Sequence, residues 1–355
     1  MAVMVDLDLL RRLSEGAGVS GSEGEVAKLL VEVLRPYADS VDRDRLGNVI
    51  AFKEGEGPTP RPRVLLSAHM DEIGLLVTGW EDGGFLRFST VGGVDIRTLL
   101  GQEVIVHGTR ILPGVIGAKP PHLQSPAERK EAIDGEKMYI DTGLKARDEL
   151  ERLVPIGSVV TIARKLQVLA QGRVAGKALD NRAGVMVLVG CLKELMAVKH
   201  KADVYAVATV QEEVGIRGAI TSSHGINPDL GIAIDVCHGD MLGMAEDEGY
   251  PLDKGPAIGF GPHVHHQLYR ALRDSAERVG ITYQVEPSPT PAGTDAWGIQ
   301  IARRGIPTAL ISIPLRYMHT SVETLSMRDV AETIRLLLAF IQGLESAFVE
   351  GLSCY

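Results

Sequence analysis

The sequence predicts an α/β protein whose main domain is interrupted by a small β-rich domain. Two observations lead to this prediction. Strand-like and helix-like segments alternate in residues 1–72 and again in residues 167–355, whereas residues 73–166 read as short strands separated by turns. The length of 355 residues also favours two domains over one. We therefore expect an outer domain made of the two end segments and an inserted domain over 73–166.

The first part of the outer domain begins with a helix and continues into a strand. Ser22 and Glu25 have the spacing of a capping box, and apolar residues then recur at helical spacing until Pro36. A Gly/Pro-rich stretch leads to the apolar run 64–68, which is too short for a helix. We expect a buried strand there, and the residues that follow it are polar.

The inserted domain has the texture of antiparallel strands. Two apolar runs flank the turn sequence 81–84, as the strands of a hairpin do. Further short apolar runs follow at 104–107, 111–116, 138–140 and 159–163. Turn residues between these runs indicate a small β-rich domain.

The alternating pattern returns after the insert. Apolar residues recur at helical spacing over 185–196 and 268–279. The apolar runs 204–210, 230–234 and 308–313 are predicted to be strands. A last amphipathic helix follows Ser326, which has the side chain of an N-cap.

Composition and charge exclude several classes of function. The chain is 45% hydrophobic, and 37 Lys and Arg against 46 Asp and Glu give a net charge of −9, so no overall basic field attracts a nucleic acid. The longest apolar stretch, 184–192, is far shorter than the roughly 20 residues of a membrane span, and the start lacks the basic segment of a signal peptide. We therefore expect a cytoplasmic protein with neither a nucleic acid nor a membrane as partner. Cys191, Cys237 and Cys354 are too far apart for a disulfide framework and are expected to be buried.

Side chains that can bind metal follow several of the predicted strands. In an open α/β sheet, ligands bind beyond the carboxyl ends of the strands, so residues distant in sequence can meet there. The candidates after strand runs, with one carboxylate at the start of a predicted helix, are His69, Asp71, Asp180, Glu212, Glu213, Asp235 and His319.

Each of these residues taken alone has an ordinary structural explanation. Polar residues after strands most often form turns, and a carboxylate such as Asp180 at the start of a helix is expected to cap it. The joint order of the set, with every member at a strand or helix terminus, favours a shared site. Histidine and carboxylate ligands without cysteine suit divalent zinc, cobalt or manganese.

The chain resembles a known family at these positions. The strings AHMDEIG, ALDNRAG, QEEVGIRGA and RYMHTSVE resemble the dinuclear metallo-aminopeptidases, and among them the glutamyl/leucyl aminopeptidase family that forms tetrahedral (TET) particles. The resemblance covers essentially the whole chain. It implies a zinc-exopeptidase-like catalytic domain over 1–72 and 167–355, with a central mixed sheet flanked by helices, and it makes the β-rich insert over 73–166 a barrel-like dimerisation domain.

The resemblance also implies a role for each candidate residue. His69 and His319 would bind different metal ions, and Asp180 would bridge the two ions. Glu213 would complete one ligand set and Asp235 the other. The catalytic residues would then be a glutamate and an aspartate: Glu212 as general base and acid, and Asp71, which orients the ring of His69.

Five further residues are candidates for substrate binding. Gly293, Thr294 and Asp295 resemble the substrate-side loop of the family, although Gly-Thr-Asp is also ordinary turn and cap chemistry. Arg316 could contact substrate or form a structural ion pair. His122 lies in the insert, and we hypothesise that it reaches the site of a neighbouring subunit.

The resemblance implies removal of N-terminal residues from peptides by a hydroxide that bridges two divalent metal ions. Zinc is the first expectation for these ions, and cobalt and manganese are the alternatives. The partners implied are peptide substrates and further copies of the chain, first as a dimer and then as a dodecamer. A deacylase or carboxypeptidase could use the same two-metal chemistry. The residues also leave open an endoglucanase-type glycoside hydrolase, a label that some relatives carry, and a peptide- or glycan-binding module.

Overall fold

A computed structural model describes residues 4–130, 133–245, 248–290 and 293–353. The strands within these ranges are β1 (Ser40–Arg43), β2 (Val49–Lys53), β3 (Arg63–His69), β4 (Gly74–Glu81), β5 (Phe85–Val91), β6 (Glu103–His107), β7 (Ile111–Ala118), β8 (Met138–Asp141), β9 (Val159–Ile162), β10 (Gln167–Val168), β11 (Arg173–Gly176), β12 (Asp203–Thr209), β13 (Leu230–His238), β14 (Ala257–Phe260), β15 (Gln284–Pro287), β16 (Thr308–Arg316) and β17 (Glu323–Ser326). The helices are α1 (Leu7–Glu15), α2 (Gly24–Leu34), α3 (Arg147–Leu153), α4 (Leu179–Leu195), α5 (Arg217–Ile226), α6 (His266–Val279), α7 (Asp295–Gln300), α8 (Met327–Gln342) and α9 (Ser346–Glu350).

The outer part of the chain forms one mixed sheet. Its strand order is β1-β2-β12-β3-β13-β16-β17-β11-β10, with β14 paired to β16 and β15 paired to β14. The four central strands, β12, β3, β13 and β16, are mutually parallel, so their carboxyl ends lie along one edge. The outer strands pair mostly antiparallel. The candidate metal-binding residues predicted from the sequence lie at this edge.

Helices cover both faces of the sheet, which explains why the central strands are apolar throughout. Along β3, Val64 and Leu66 face a core built with α1, α2, α4, α6 and α8. Leu65 faces the opposite core, built with α5 and α7. The alternation follows from the two-residue period of a strand. The α/β class predicted from the sequence is confirmed.

The insert forms a closed barrel between β3 and the return of the chain to the main sheet at β10. Its strand order is β4-β5-β8-β7-β6-β9, and all the pairings are antiparallel. Leu75, Val77, Leu86, Val104 and Ile140 belong to its separate apolar core. Closure removes the exposed edges that a short antiparallel sheet would otherwise present.

Two expectations about helix ends are wrong. The structure starts α2 at Gly24 with Glu23 at the N-cap position, so Ser22 caps nothing there. The Glu23 carboxylate instead accepts hydrogen bonds from the backbone N–H groups of Gly21 and Gln211. This contact fixes the loop that follows β12, and a capping box read from spacing alone could not reveal it.

The start of α4 differs from the expectation in the same way. Asn181, and not Asp180, accepts the capping hydrogen bond, from the backbone N–H of Gly184 at 3.0 Å. Asp180 has non-helical backbone angles, and its carboxylate is free to face the sheet edge. Cys191 and Cys237 are buried as expected, and Cys354 lies outside the described residues.

None of the described helices is both long enough and apolar enough to cross a lipid bilayer.

Candidate active site

The candidate site lies at the carboxyl edge of the central parallel strands. His69 is the last residue of β3, and Asp235 lies in the second half of β13. Glu212 and Glu213 follow β12, and His319 follows β16. The start of α4 adds Asp180 from above the same edge. The structure therefore brings together side chains that are up to 250 residues apart in the chain.

Asp180 lies between the two histidines. Its Oδ1 is 3.1 Å from Nε2 of His69, and its Oδ2 is 3.3 Å from Nε2 of His319. His69 Nε2 is also 3.8 Å from Oδ1 of Asp235, and His319 Nε2 is 3.5 Å from Oε1 of Glu213. The five side chains thus form two groups that share Asp180, and within each group the possible ligand atoms lie within 4.8 Å of one another.

These spacings fit two divalent cations. Ligands of a tetrahedral zinc ion at bond lengths of about 2.1 Å lie about 3.4 Å from each other. The four nitrogen-to-oxygen distances within the two groups run from 3.1 to 3.8 Å. One group offers His69, Asp180 and Asp235, and the other offers Asp180, Glu213 and His319. Among the described residues, these are the groups of three or more His, Cys, Asp or Glu side chains placed to hold an ion.

The charges of the site also call for cations. Burial raises the pKa of Asp235 and Glu213, and the neighbouring Asp180 raises both further. Hydrogen bonds to Asp180 and Glu213 raise the pKa of His319 to about 11. Buried carboxylates are costly to ionise unless positive charge lies beside them. Without metal, protons on the imidazoles supply that charge, and divalent cations would replace those protons.

Glu212 is buried beside the two groups and has an oxygen with no partner. Its Oε2 lies 3.9 Å from Nε2 of His69, whereas Oε1 is buried without any hydrogen bond. Burial raises the pKa of Glu212 to about 10, with further increases from Asp235 and Asp295. A nearby divalent cation lowers the pKa of a carboxyl group. A carboxyl group that has an unpartnered oxygen, and whose pKa a nearby cation would lower, is suited to proton transfer.

Asp71 holds both His69 and the loop that carries the two glutamates. Its carboxylate accepts hydrogen bonds from the backbone N–H groups of Glu212 at 3.0 Å and Glu213 at 3.2 Å. Ser20 Oγ donates a third at 2.6 Å, and Nδ1 of His69 lies 3.4 Å from Oδ1 of Asp71. Burial raises the pKa of Asp71, but these contacts outweigh it and hold the pKa below its ordinary value. Asp71 is therefore charged and fixes three residues of the site.

Glu323 has a comparable position on the other side, and sequence reasoning missed it. Its carboxylate accepts hydrogen bonds from the backbone N–H of Asp180 at 3.1 Å and from that of His319 at 3.0 Å. It is almost fully buried, at 1% exposure. Glu323 thus ties the shared carboxylate to one of the histidines. The only signal in the sequence is its place four residues after His319 in the string RYMHTSVE.

The barrel domain also contributes to the site, through the backbone of Gly93. The carbonyl oxygen of Gly93, in the loop after β5, lies 3.0 Å from Nδ1 of His319. If Nδ1 carries the hydrogen, Nε2 is left to bind an ion. A Cβ atom at position 93 would lie 2.7 Å from Nδ1 and 2.9 Å from Cε1 of the ring, so glycine is required for this approach. Nothing in the sequence indicates this contact.

Several loops of the site hold non-glycine residues in the left-handed backbone region. The residues concerned are Ala178, Gln211, Ile216, Tyr317 and His319, with φ between +54° and +61°. Such conformations cost about 1 kcal/mol or more for a side chain with Cβ. Backbone N–H groups of the same loops donate hydrogen bonds to the carboxylates of Glu23, Asp71 and Glu323, and these bonds offset the cost.

A pocket opens from the two groups toward the outer strands of the sheet. Its wall includes Gly293 and Thr294 of the predicted substrate loop. Asp295 lies behind this wall, where its Oδ2 accepts hydrogen bonds of 2.6 Å from Ser67 and from Thr209. Its Oδ1 is buried without a partner.

The other two predicted substrate residues lie away from the pocket. Arg316 forms an ion pair of 2.6 Å with Asp240 and also donates to the backbone oxygen of Asp240, which is the structural role that the sequence left open. His122 is exposed in the barrel domain. Among the described residues, His122 belongs neither to the two ligand groups nor to the lining of this pocket.

Comparison with known proteins identifies the family. The family model for M42 glutamyl aminopeptidases matches residues 47–336. The chain belongs to the M42 peptidase family. The lysyl aminopeptidase of Pyrococcus furiosus is 39% identical over 351 residues, which cover 96% of this chain and 98% of that one. The resemblance read from the sequence is confirmed, and the protein is a hydrolase of peptide bonds in a metal-dependent family.

Solved structures of M42 peptidases share the fold over nearly the full length. The TET aminopeptidase of the marine sediment archaeon Thaumarchaeota archaeon SCGC AB-539-E09 superposes with a TM-score of 0.92 at 35% identity, covering 98% of each chain. PhTET1-12s, a dodecamer, superposes with a TM-score of 0.84 at 33% identity, covering 96% of this chain and 100% of the other. The sheet with its inserted barrel is therefore the architecture of TET-type M42 peptidases.

The contact between Gly93 and His319 predicts a difference between the two ligand groups in their affinity for cations. We expect Gly93→Ala to weaken cation binding about 10- to 100-fold at the ligand group that contains His319, and not at the other group. The reason is that the new methyl group displaces the His319 ring. A competition titration with a chromophoric chelator measures both dissociation constants. Gly24→Ala is the matched control, since a Cβ there meets nothing within 4 Å. Two unchanged constants in Gly93→Ala would show that the contact does not position the ligand.

Asp71 gives a second prediction. Asp71→Asn keeps the shape of the side chain but removes its charge, so both the His69 ring and the Glu212 loop lose their anchor. We expect metal affinity to fall about 10- to 100-fold, while the metal-free protein loses only about 1 kcal/mol of unfolding free energy. Titration calorimetry and urea denaturation measure the two effects, with the exposed Asp42→Asn as control. A loss confined to folding stability would contradict the assignment.

Proposed function

We propose that this M42 peptidase is an aminopeptidase that hydrolyses the first peptide bond of a substrate with two divalent cations. The observation that carries the proposal is the pair of ligand groups that share Asp180, with the unpartnered Oε1 of Glu212 beside them. We assign His69, Asp180 and Asp235 to one ion and Asp180, Glu213 and His319 to the other. Imidazole and carboxylate donors favour zinc, and they also accept cobalt or manganese.

Bound there, the cations would supply Lewis acidity that polarises the scissile carbonyl group and favours ionisation of the attacking water. The protein supplies the proton transfer. Glu212 Oε1 accepts a proton from the attacking water as the new C–O bond forms. It then donates that proton to the departing amine nitrogen as the C–N bond breaks, so the carboxylate is regenerated.

The remaining polar groups orient the substrate. A free α-amino group is a cation, and the carboxylates around the ligand groups can accept its hydrogen bonds. We infer that Gly293 and Thr294, which line the pocket, contact the peptide. Asp295 would act from behind the wall through Ser67 and Thr209, and Arg316 would act through its ion pair with Asp240, outside the pocket lining. The substrate role proposed for these two residues is therefore indirect.

We propose a division of labour between two domains, with residues 1–72 and 167–355 as the catalytic domain and 73–166 as a dimerisation domain. The strands of the closed barrel lie within the second range, and β10 at Gln167 already belongs to the main sheet. PhTET1-12s supports assembly of such dimers into a dodecamer. His122, exposed on the barrel, would reach the active site of a neighbouring subunit.

Hydrolases of a different specificity can be separated from an aminopeptidase by experiment. A deacylase or carboxypeptidase could use the same ligand groups, whereas an endoglucanase-type glycoside hydrolase has no support from membership of a peptidase family. A panel of peptides with free and blocked N-termini separates these activities. Hydrolysis of the blocked peptides alone would overturn the aminopeptidase proposal.

The assignment of Glu212 predicts a separation of binding from catalysis. We expect Glu212→Gln to bind both ions yet lose about 10²- to 10⁴-fold in kcat, since proton transfer is removed while the ligands stay in place. Metal content by atomic emission and turnover of aminoacyl reporter substrates measure the two. Chelation should abolish wild-type activity and added zinc or cobalt should restore it. Activity that survives chelation, or a Glu212→Gln enzyme within tenfold of wild type, would contradict the mechanism.

The proposal for His122 is tested with a matched surface histidine. We expect His122→Ala to lower kcat/KM about tenfold without changing particle size, because a hydrogen bond to the neighbouring site is lost. His224→Ala, also exposed, should change neither property. Light scattering gives the particle size and reporter substrates give the activity. Unchanged activity in His122→Ala would end this part of the proposal.

A further inference from the structure

The pocket beside the ligand groups carries more negative charge than the cations require. Its described lining residues include six carboxylates and no lysine or arginine: Asp180, Glu212, Glu213, Asp235, Glu248 and Glu286. Under the proposed function, on which this inference rests, three of the six bind cations and Glu212 moves a proton. Glu286 is left in the wall of the same pocket without a task, as is Glu248 at the pocket rim.

Glu286 is held in place but has no cationic partner. It lies on β15, and its Oε2 accepts a hydrogen bond of 2.6 Å from Oγ of Ser312. Within the part of the chain that the structure describes, no lysine, arginine or histidine forms an ion pair with it. Burial raises its pKa. A half-buried carboxylate with one neutral donor is costly to keep charged, and a cation entering the pocket would relieve that cost.

The position of Glu286 relative to the ligand groups is set by the sheet. Asp235 on β13 is paired with Ser312 on β16, so both side chains are on the same face. Ser312 is in turn paired with Ala257 on β14, and β15 is the next strand. Because neighbouring strands lie about 4.8 Å apart, the Glu286 carboxylate that meets Ser312 is roughly 10 Å or less from Asp235. A long side chain can span this distance.

The part of the pocket between Asp235 and Glu286 has room for such a side chain. Cys237 and Tyr250 line it together with Glu286. Burial and the negative charge of Glu286 raise the pKa of Tyr250 to about 12, so its phenol stays neutral. An apolar stem can lie against Cys237 and Tyr250 while a terminal charge meets Glu286. An acidic side chain would be repelled there.

We propose that the pocket selects peptides whose first residue has a positively charged side chain, lysine or arginine, and that Glu286 binds this charge. The α-amino group of the same residue would lie at the end of the pocket where the two ligand groups are. Glu286 therefore acts as a specificity-determining residue and takes no part in bond breaking. Removing its charge changes the ranking of substrates.

The test compares reporter substrates on the full chain loaded with zinc or cobalt. Lysyl, arginyl, leucyl and glutamyl substrates are assayed with wild type, Glu286→Gln and the control Glu32→Gln, an exposed glutamate on α2. We expect wild type to prefer the lysyl and arginyl substrates. In Glu286→Gln, the ratio of kcat/KM for the lysyl substrate over the leucyl substrate should fall about tenfold, through KM, whereas Glu32→Gln keeps the wild-type ratio.

Turnover of the leucyl substrate shows that a variant is folded, because both substrates use the same catalytic groups. A wild-type enzyme with no preference for basic residues would overturn the inference and leave the aminopeptidase proposal standing. An equal loss on lysyl and leucyl substrates in Glu286→Gln would also overturn it, since Glu286 would then hold the α-amino group. No turnover of any substrate with a free N-terminus would overturn the proposed function, and this inference with it.

Discussion

The structure of the site depends on compensating a concentration of buried negative charge. Asp180, Asp235, Glu212 and Glu323 are each less than 9% exposed, and they lie along one edge of the sheet. Carboxylates so close together stay ionised only when positive charge lies among them. The imidazoles of His69 and His319 are placed between these carboxylates. Two divalent cations in the same places would satisfy all of these groups at once.

The fold meets this constraint by fixing backbones as well as side chains. Asp71 and Glu323 are two carboxylates that bind backbone N–H groups on opposite sides of the site. The loops they hold include residues in the left-handed region, His319 among them. A ligand set held in this way changes little when an ion binds, and this supports both affinity and catalysis. The barrel takes part through the carbonyl oxygen of Gly93.

Local patterns in the sequence predicted much of this arrangement. Apolar runs followed by polar residues marked the strand ends, and the ends of parallel strands meet at one edge, so His69 and His319 could be expected to lie close together. Helix caps were less predictable. Ser326 caps α8 as its sequence indicates, but the spacing of Ser22 and Glu25 proved misleading. In that case a long-range hydrogen bond from the Gln211 backbone to Glu23 decides the conformation.

Contacts between distant segments could not be predicted in the same way. Glu323 is four residues from His319, but its second partner, the backbone of Asp180, is 143 residues away. Gly93 and His319 are separated by 226 residues, and the contact requires the barrel to pack against the loop after β16. Glu286 faces the pocket only because β14 and β15 add to the outer side of β16. Each of these depends on the strand order, which periodicity does not determine.

Whether Asp180 bridges two cations can be measured by anomalous diffraction at the zinc absorption edge, from crystals of the full chain grown with zinc. The pair of ligand groups that shares Asp180 predicts two peaks per chain, about 3.5 Å apart, on either side of Asp180. One peak should have His69 and Asp235 as its other ligands, and the second should have Glu213 and His319. A single peak that excludes Asp180, or zinc bound only elsewhere while these five side chains stay unligated, would contradict it.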